Sequence, residues 1–446
     1  MNKTWRFPLF FSGFLLLSQA FPLLSPVRDA ATGAWPEGFS LHLPARYLVF
    51  APFCGIADRL TILSYHQVLV TLAYVVLAGF MIWGRRRWFV SLFLFVPFLV
   101  WTTLVPRPVA RLQAQDPDVL LIDFHSHTQA SHDGRPGFTA DDNRRWHRAQ
   151  GYEASFITDH NRIESSREAK ALSRADWRQT GFRSLEGEEV SLWKTHLVVL
   201  GVHERIDNQP YDSDPAKVPL FIKEMKRRGR PVIAALPEYW FYHWPTPVSL
   251  TPSPSPGGGG EKAKMFPLPS GEGPATRVAG GEASPGTIHD FVSCGIAGFE
   301  IVNSAPKSLD FPPAYRREIV ELCRKNNLFM TGISDTHGWG YATAVWNAMR
   351  IPGWRGMNPD RLEEAVLKTL RTRGFQAVEV LERARYNPES LIGLLASPLV
   401  NAGLAWRSLQ GAEAVWWVVW MWLGYFVISR IRKRGIQGSP AKGRRG

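Results

Sequence analysis

The chain has 446 residues, with 52 Lys and Arg against 39 Asp and Glu, a formal net charge of +13. Its 18 Trp and 26 Phe are unusual for a soluble enzyme, and its length holds one catalytic domain plus further segments. The basic excess is local to chain ends and turns, so nucleic acid is not indicated as a partner. Cys54, Cys294 and Cys323 lack metal-ligand spacing and read as buried core thiols.

Residues 1–110 read as a membrane region. Residues 7–27 carry no charge and follow Lys3 and Arg6; a cleavable signal peptide is the other reading of that run. Residues 64–84 and 88–106 are two further runs without Lys, Arg, Asp or Glu, each close to the ~20 residues that cross a bilayer. A fourth run, about 412–429, is rich in Trp, as membrane interfaces are. Arg85, Arg86 and Arg87 sit between the second and third runs. The tail after the fourth holds Arg430, Arg432, Lys433, Arg434, Lys442, Arg444 and Arg445 with no acid. Basic flanks stay in the cytoplasm, so the expectation is a multi-pass protein of the cell membrane. Residues 28–60 and the catalytic domain, 111–387, then face outward. Membrane lipid is an expected partner of the basic flanks. Residues 391–406 read as interfacial, within a last region at 388–446. Residues 249–286, rich in Pro, Gly and Ser, read as a disordered insertion in the catalytic domain.

The chemistry concentrates in 120–161. A buried strand at 119–122 runs into Asp123, His125 and His127; residues two apart on extended backbone point the same way, so both imidazoles leave one face. Asp133-Gly134 follows, then a polar segment suited to a helix. A second strand, 154–158, ends in Asp159-His160. Further strand-like runs end in SLEGEEVS (184–191), in THLVVLG opening on His196, in IAGFEIVNS (296–304) and in LFMTGISDTHGW (328–339).

His-x-His-Thr, Asp-Gly, Thr-Asp-His, Gly187-x-Glu189, His196, Glu300-x-x-Asn303 and Asp335-x-His337 together resemble the PHP family, the polymerase and histidinol phosphatase domains. The resemblance covers about 119–375. It implies an α/β fold, a distorted (β/α)7 TIM-like barrel, here flanked by transmembrane helices. It implies a metal-dependent phosphoesterase that hydrolyses a phosphate ester of a small molecule by a metal-bound hydroxide. The expected cofactors are two divalent transition-metal ions, Mn, Fe or Zn. His125, His127, Glu189 and Asp335 would hold one, and Asp133, His160 and His337 the other, with Glu189 and His196 partly relieved of a third. Leu236 stands where the family has a ligating His, so a third ion is not expected unless Glu238 or His243 substitutes. Asp123 and Asp159 read as partners that orient imidazoles. Arg135, Arg162 and Lys194 are placed to clamp phosphate oxygens, with Asn303 near substrate. Glu186 and Glu188 read as solvent-facing acids. Two other readings stay open: hydrolysis of another bond on the same scaffold, or a non-catalytic binding module in a membrane assembly. No polymerase region is present.

Overall fold

The structure, a computed structural model, describes residues 5–21, 24–192, 195–235, 288–305, 309 and 311–437. The 249–286 insertion, Lys194, Leu236, Glu238 and His243 lie outside the described residues.

Among the described residues twelve strands form: β1 (Val27–Asp29), β2 (Phe39–His42), β3 (Arg111–Ala114), β4 (Val119–Asp123), β5 (Ala154–Ile157), β6 (Arg183–Leu192), β7 (Thr195–Leu200), β8 (Val232–Ala235), β9 (Gly298–Asn303), β10 (Phe329–Ile333), β11 (Val345–Arg350) and β12 (Glu379–Arg383). Ten make one sheet in the order β1-β12-β11-β4-β5-β6-β7-β8-β9-β10, and β2 pairs with β3 apart. β5 and β8 are buried at every residue, which is why they read as short apolar runs rather than alternating ones. Amphipathic helices cover the outside. In Pro359–Arg373, capped by the Asn358 side chain on the Arg361 N–H, the stripe of Leu362, Val366 and Leu370 is buried.

The sheet curls until its last strand returns to β4. Asp335 donates its backbone N–H to the His125 carbonyl (3.1 Å), and His127 donates to the Thr336 carbonyl (2.8 Å). One layer below, Asn347 accepts from the Gly332 N–H at 2.7 Å and donates to the Ile122 carbonyl at 2.9 Å. The result is a mixed α/β structure whose curled ten-stranded sheet is compatible with a TIM-like barrel. The last strand, β12, begins at Glu379 after a 3-10 turn over Gly374–Gln376, and it runs antiparallel to β11. β1, at the end of the apolar run 7–27 and the start of the segment after it, extends that edge, its Arg28 paired with the buried Glu382 at 2.8 Å.

The apolar runs are helices at Arg6–Ser18, Tyr65–Trp83, Phe89–Leu104, Leu391–Arg407 and Gly411–Gln437. Tyr65–Trp83 and Gly411–Ile431 are long and apolar enough to cross a membrane, judged by length and composition. Only 11% and 6% of their windows is buried, so neither is the core helix of a soluble domain. Two expected spans are shorter than read. The 13 residues of Arg6–Ser18 rise about 20 Å and the 16 of Phe89–Leu104 about 24 Å, against a hydrocarbon layer of about 30 Å. Polar groups fasten these helices to the sheet domain. Arg107 bonds the buried Asp58, which also pairs with Arg383 of β12 at 3.2 Å. Gln67, at the start of Tyr65–Trp83, donates to the Tyr386 carbonyl at 2.8 Å.

Candidate metal centre

Most of the donors come from the C-terminal end of a strand or the turn after it, whereas Glu189 lies within β6 and His196 at the start of β7. β4 delivers His125 and His127, β5 delivers His160, and β10 delivers Asp335 and His337. β6 and β7, an antiparallel pair, set Glu189 and His196 on adjoining strands. Backbone bonding continues past the strands to fix these ends: Ser126 bridges Thr336 and His160 bridges Glu189. Asp335 (φ 48°) and Asn161 (φ 50°), beside His160, hold left-handed backbone conformations that cost of order 1–3 kcal/mol each. Strain of this kind persists where the surroundings dictate a side chain's aim. Gly134, next to Asp133, is required by close approach: a Cβ there would stand 1.9 Å from the Thr128 carbonyl oxygen.

Glu189 is the centre of the cluster. Its Oε2 lies 3.0 Å from His125 Nε2, 3.2 Å from His127 Nε2 and 3.1 Å from His160 Nδ1, and its Oε1 lies 3.0 Å from His196 Nδ1. His125 Nε2 and His127 Nε2 are 2.9 Å apart, and Asp335 Oδ1 is 3.2 Å from His127 Nε2. On the outer side, Asp133 Oδ2 is 3.1 Å from His337 Nε2 and 3.8 Å from His160 Nε2. The sequence-assigned ligands therefore converge, and both expected sets stand side by side. His160 presents a nitrogen to each side, so it also joins Glu189 and His196 in a third grouping of donors. The Glu186 and Glu188 expectation is corrected: both are buried, Glu186 against Lys170 (3.3 Å) and Glu188 with one oxygen on the Ile206 N–H (2.8 Å).

The donor set fits divalent cations. Buried Glu189 Oε1, Asp335 Oδ1, His160 Nδ1 and His337 Nε2 all lack a hydrogen bond among the described residues, although each faces opposite charge or polarity. Two imidazole lone pairs meeting at 2.9 Å need a shared proton or a cation between them. The far side of each ring is already committed. His125 Nδ1 is 2.8 Å from Glu300 Oε1, His127 Nδ1 is 2.9 Å from Ser131 Oγ, and His337 Nδ1 is 2.8 Å from the Asp335 carbonyl. That leaves Nε2 of all three for a metal, the outer-shell pattern typical of ligating histidines. Imidazole and carboxylate donors suit Mn, Fe or Zn. Without cations, protons take their place. Burial opposes charge on His125, but the Glu189 and Glu300 carboxylates outweigh it and raise its pKa. Burial likewise opposes charge on His127, yet the facing Asp335 and Glu189 carboxylates push it up to about 9. Burial pushes the Glu189 carboxyl up, and the facing histidines more than reverse it, so it stays ionised.

Several expected roles change. Asp159 does orient an imidazole, through Ser131, whose hydroxyl lies 3.1 Å from Asp159 Oδ1 and 2.9 Å from His127 Nδ1. Asp123 faces His147 Nε2 (2.8 Å) and accepts from the Ser334 hydroxyl and the His125 N–H (3.5 Å), so it ties a covering helix to the backbone that carries the ligands. Asn303 spends its amide N–H on Asp335 Oδ2 (3.0 Å), which turns Oδ1 inward. Arg135 donates to the Gly338 carbonyl (3.3 Å), and Arg162 is exposed. Lys194 lies outside the described residues. Sequence reasoning left two groups unassigned. Glu300 was visible as an acid inside an apolar strand, a placement that needs a buried partner. His132, at the exposed rim, lies tilted against His160 with ring centroids 4.9 Å apart, and only its neighbour Asp133 drew notice. The site is graded: the side chains of His125 and Glu189 are 0% and 1% exposed, that of Asp133 45% and that of His132 76%. The cluster is therefore open on the Asp133 side and closed at the His125 and Glu189 floor.

No family model matches the chain, and no curated protein matches its sequence. Solved structures with partial likeness include three at low identity. One is assigned as a metal-dependent phosphoesterase of Bifidobacterium adolescentis (14% identity, 50% of this chain and 89% of that one, TM-score 0.30). Another is an amidohydrolase of Chromobacterium violaceum with bound sulfate (16%, 59% and 98%, TM-score 0.29). A third is PsfC of Pseudomonas syringae (13%, 64% and 99%, TM-score 0.32). At overlaps of this size, the chain's own geometry is the basis for its function.

Proposed function

We propose that the chain is a membrane-anchored, metal-dependent phosphoesterase of the PHP type, built on a distorted (β/α)7 barrel. The observation that carries this reading is the convergence of His125, His127 and His160 on one oxygen of Glu189 and of His196 on the other, with the opposite nitrogen of His125, His127 and His337 already pinned. Divalent cations held by these residues would supply Lewis acidity and a water acidic enough to react near neutral pH. The chain's own residues do the rest. Glu300, Ser131 with Asp159, and the Asp335 carbonyl fix ring orientation. Asn303 aims Asp335. The buried floor of His125 and Glu189 excludes bulk water, which strengthens every charge interaction there. Asp133 and His132 meet the arriving phosphate ester at the rim.

Anchorage follows from the fastening of the two long apolar helices. Tyr65–Trp83 meets the sheet domain at its first turn, through Gln67, and reaches Arg85–Arg87 at its other end. Gln410, just before Gly411–Ile431, donates to the Leu41 carbonyl at 2.7 Å, and the basic tail follows the far end. Domain and basic residues thus occupy opposite ends of both helices. Basic flanks stay inside, so the domain faces outward. The test is a panel of phosphomonoesters and phosphodiesters given to full-length protein, metal-stripped and then reloaded. Hydrolysis restored by metal supports the reading. A reloaded, folded protein inert on the whole panel removes phosphate esters as its substrates.

A further inference from the structure

The loop that carries His337 is tied to the end of an apolar helix. Gly340, three residues beyond His337, donates its backbone N–H to the Thr103 carbonyl at 3.1 Å, in the last turn of Phe89–Leu104. Three residues span at most about 11 Å, so the His337 backbone lies within that reach of the helix end. A second apolar support meets the same region: Ile62, ahead of Tyr65–Trp83, packs with Ala344 and Leu309. Phe93, Leu94, Val96 and Val100 are exposed along the first helix, and exposure of apolar residues continues to Leu104 and Val105. Beyond them come Pro106 and the buried, ion-paired Arg107. The apolar surface therefore stops where the metal-ligand loop begins. The polar layer of one leaflet is roughly 5–7 Å deep, of the same order as the ~11 Å limit on the distance from the helix end to His337. Trp339, between His337 and Gly340, is 54% exposed and sets its indole N–H toward the Asp133 carbonyl at 3.4 Å. A half-exposed Trp with its polar edge turned inward is a residue of membrane interfaces.

We infer that the centre works at headgroup level, on a phosphate ester carried by a membrane lipid. This rests on the phosphoesterase and anchorage readings above and names their substrate class. Water adds its oxygen to phosphorus and the P–O bond to the lipid alcohol breaks. The alcohol takes a proton and stays in the bilayer, and the phosphate leaves into solvent. A site standing well above the bilayer would have to lift acyl chains into water, at a cost that grows with every methylene. A site at headgroup depth needs no such step, and its substrate is concentrated in the layer it occupies.

Two measurements test this on full-length protein in phosphatidylcholine vesicles. The first places a nitroxide on Trp339→Cys and, for reference, on Arg228→Cys, an exposed position on the sheet domain. The inference expects the label at 339 to relax with oxygen dissolved in the bilayer and to be shielded from a water-soluble nickel chelate, unlike the label at 228. Equal exposure of both labels to the chelate overturns it. The second compares hydrolysis of phosphatidic acid or phosphatidylglycerol in those vesicles with hydrolysis of p-nitrophenyl phosphate in the surrounding water. The expected result is a rate that follows the surface fraction of the lipid and falls when it is diluted with phosphatidylcholine at constant bulk concentration. Turnover of the soluble ester without the lipids overturns the lipid inference and leaves the phosphoesterase reading standing. Inertness toward all three overturns both.

Discussion

Glu300→Gln isolates the outer shell of the centre. The carboxylate is 1% exposed and stands 2.8 Å from His125 Nδ1. It holds the Nδ1 proton and makes Nε2 a stronger donor. Glutamine has the same shape and can accept the same hydrogen bond, but without charge. Removing such a partner lowers metal affinity about 10–100-fold, roughly 1.4–2.7 kcal/mol. A second effect opposes the first. Glu300 also raises the pKa of His125, so at neutral pH a proton competes with the metal in the wild type more than in the variant. The deficit should sit near tenfold at pH 7 and widen as pH rises and that competition fades. Chelator competition on both proteins, at several pH values, measures it. An affinity within twofold of wild type across the range would refute the assignment of His125 as a ligand oriented by Glu300.

Metal affinity of the wild type should itself climb between pH 7 and 9, because His127, held up to about 9, must lose its proton to bind; a flat titration by the same competition assay contradicts this. Glu188 gives a stability effect of known sign. Burial raises its carboxyl from 4.5 to about 7, so the folded state holds a proton that the unfolded chain releases, and stability falls as pH rises through that window. At 1.36 kcal/mol per pH unit the span is about 3 kcal/mol. Glu188→Gln should therefore gain stability over wild type from pH 5 to pH 8 in thermal unfolding, and a pH-independent offset would refute it. Lys170 is 2% exposed between Glu186 (3.3 Å) and Glu363 (3.1 Å). Lys170→Met strands two buried acids and should cost about 3–5 kcal/mol, read as a lowered unfolding midpoint with the metal centre otherwise intact.

The ligands were legible because strand geometry makes them so. His125 and His127, or Asp335 and His337, are two residues apart at a strand end, and period-two backbone sends both side chains one way. Glu300 was harder. It sits alone in an apolar strand, and its partner is 175 residues away in sequence. His147 reads as one polar residue on a polar helix, and only folding brings Asp123 to it. β1 was hidden for another reason. Three residues carry no pattern, and its place is decided by the open edge of β12 and the Arg28–Glu382 pair. The short reach of Arg6–Ser18 and Phe89–Leu104, and the extension of Gly411–Gln437 past its apolar run, show that an uncharged run does not set a helix's length.

The central claim is most directly tested by the metal content of the full-length protein, beside a His125→Ala, His127→Ala double variant, after purification and dialysis against Mn, Fe or Zn. The account predicts about two or more transition-metal equivalents in the wild type, as a multi-metal hydrolase centre requires, and a marked loss in a variant that stays folded. A folded wild-type protein that retains no metal would contradict it.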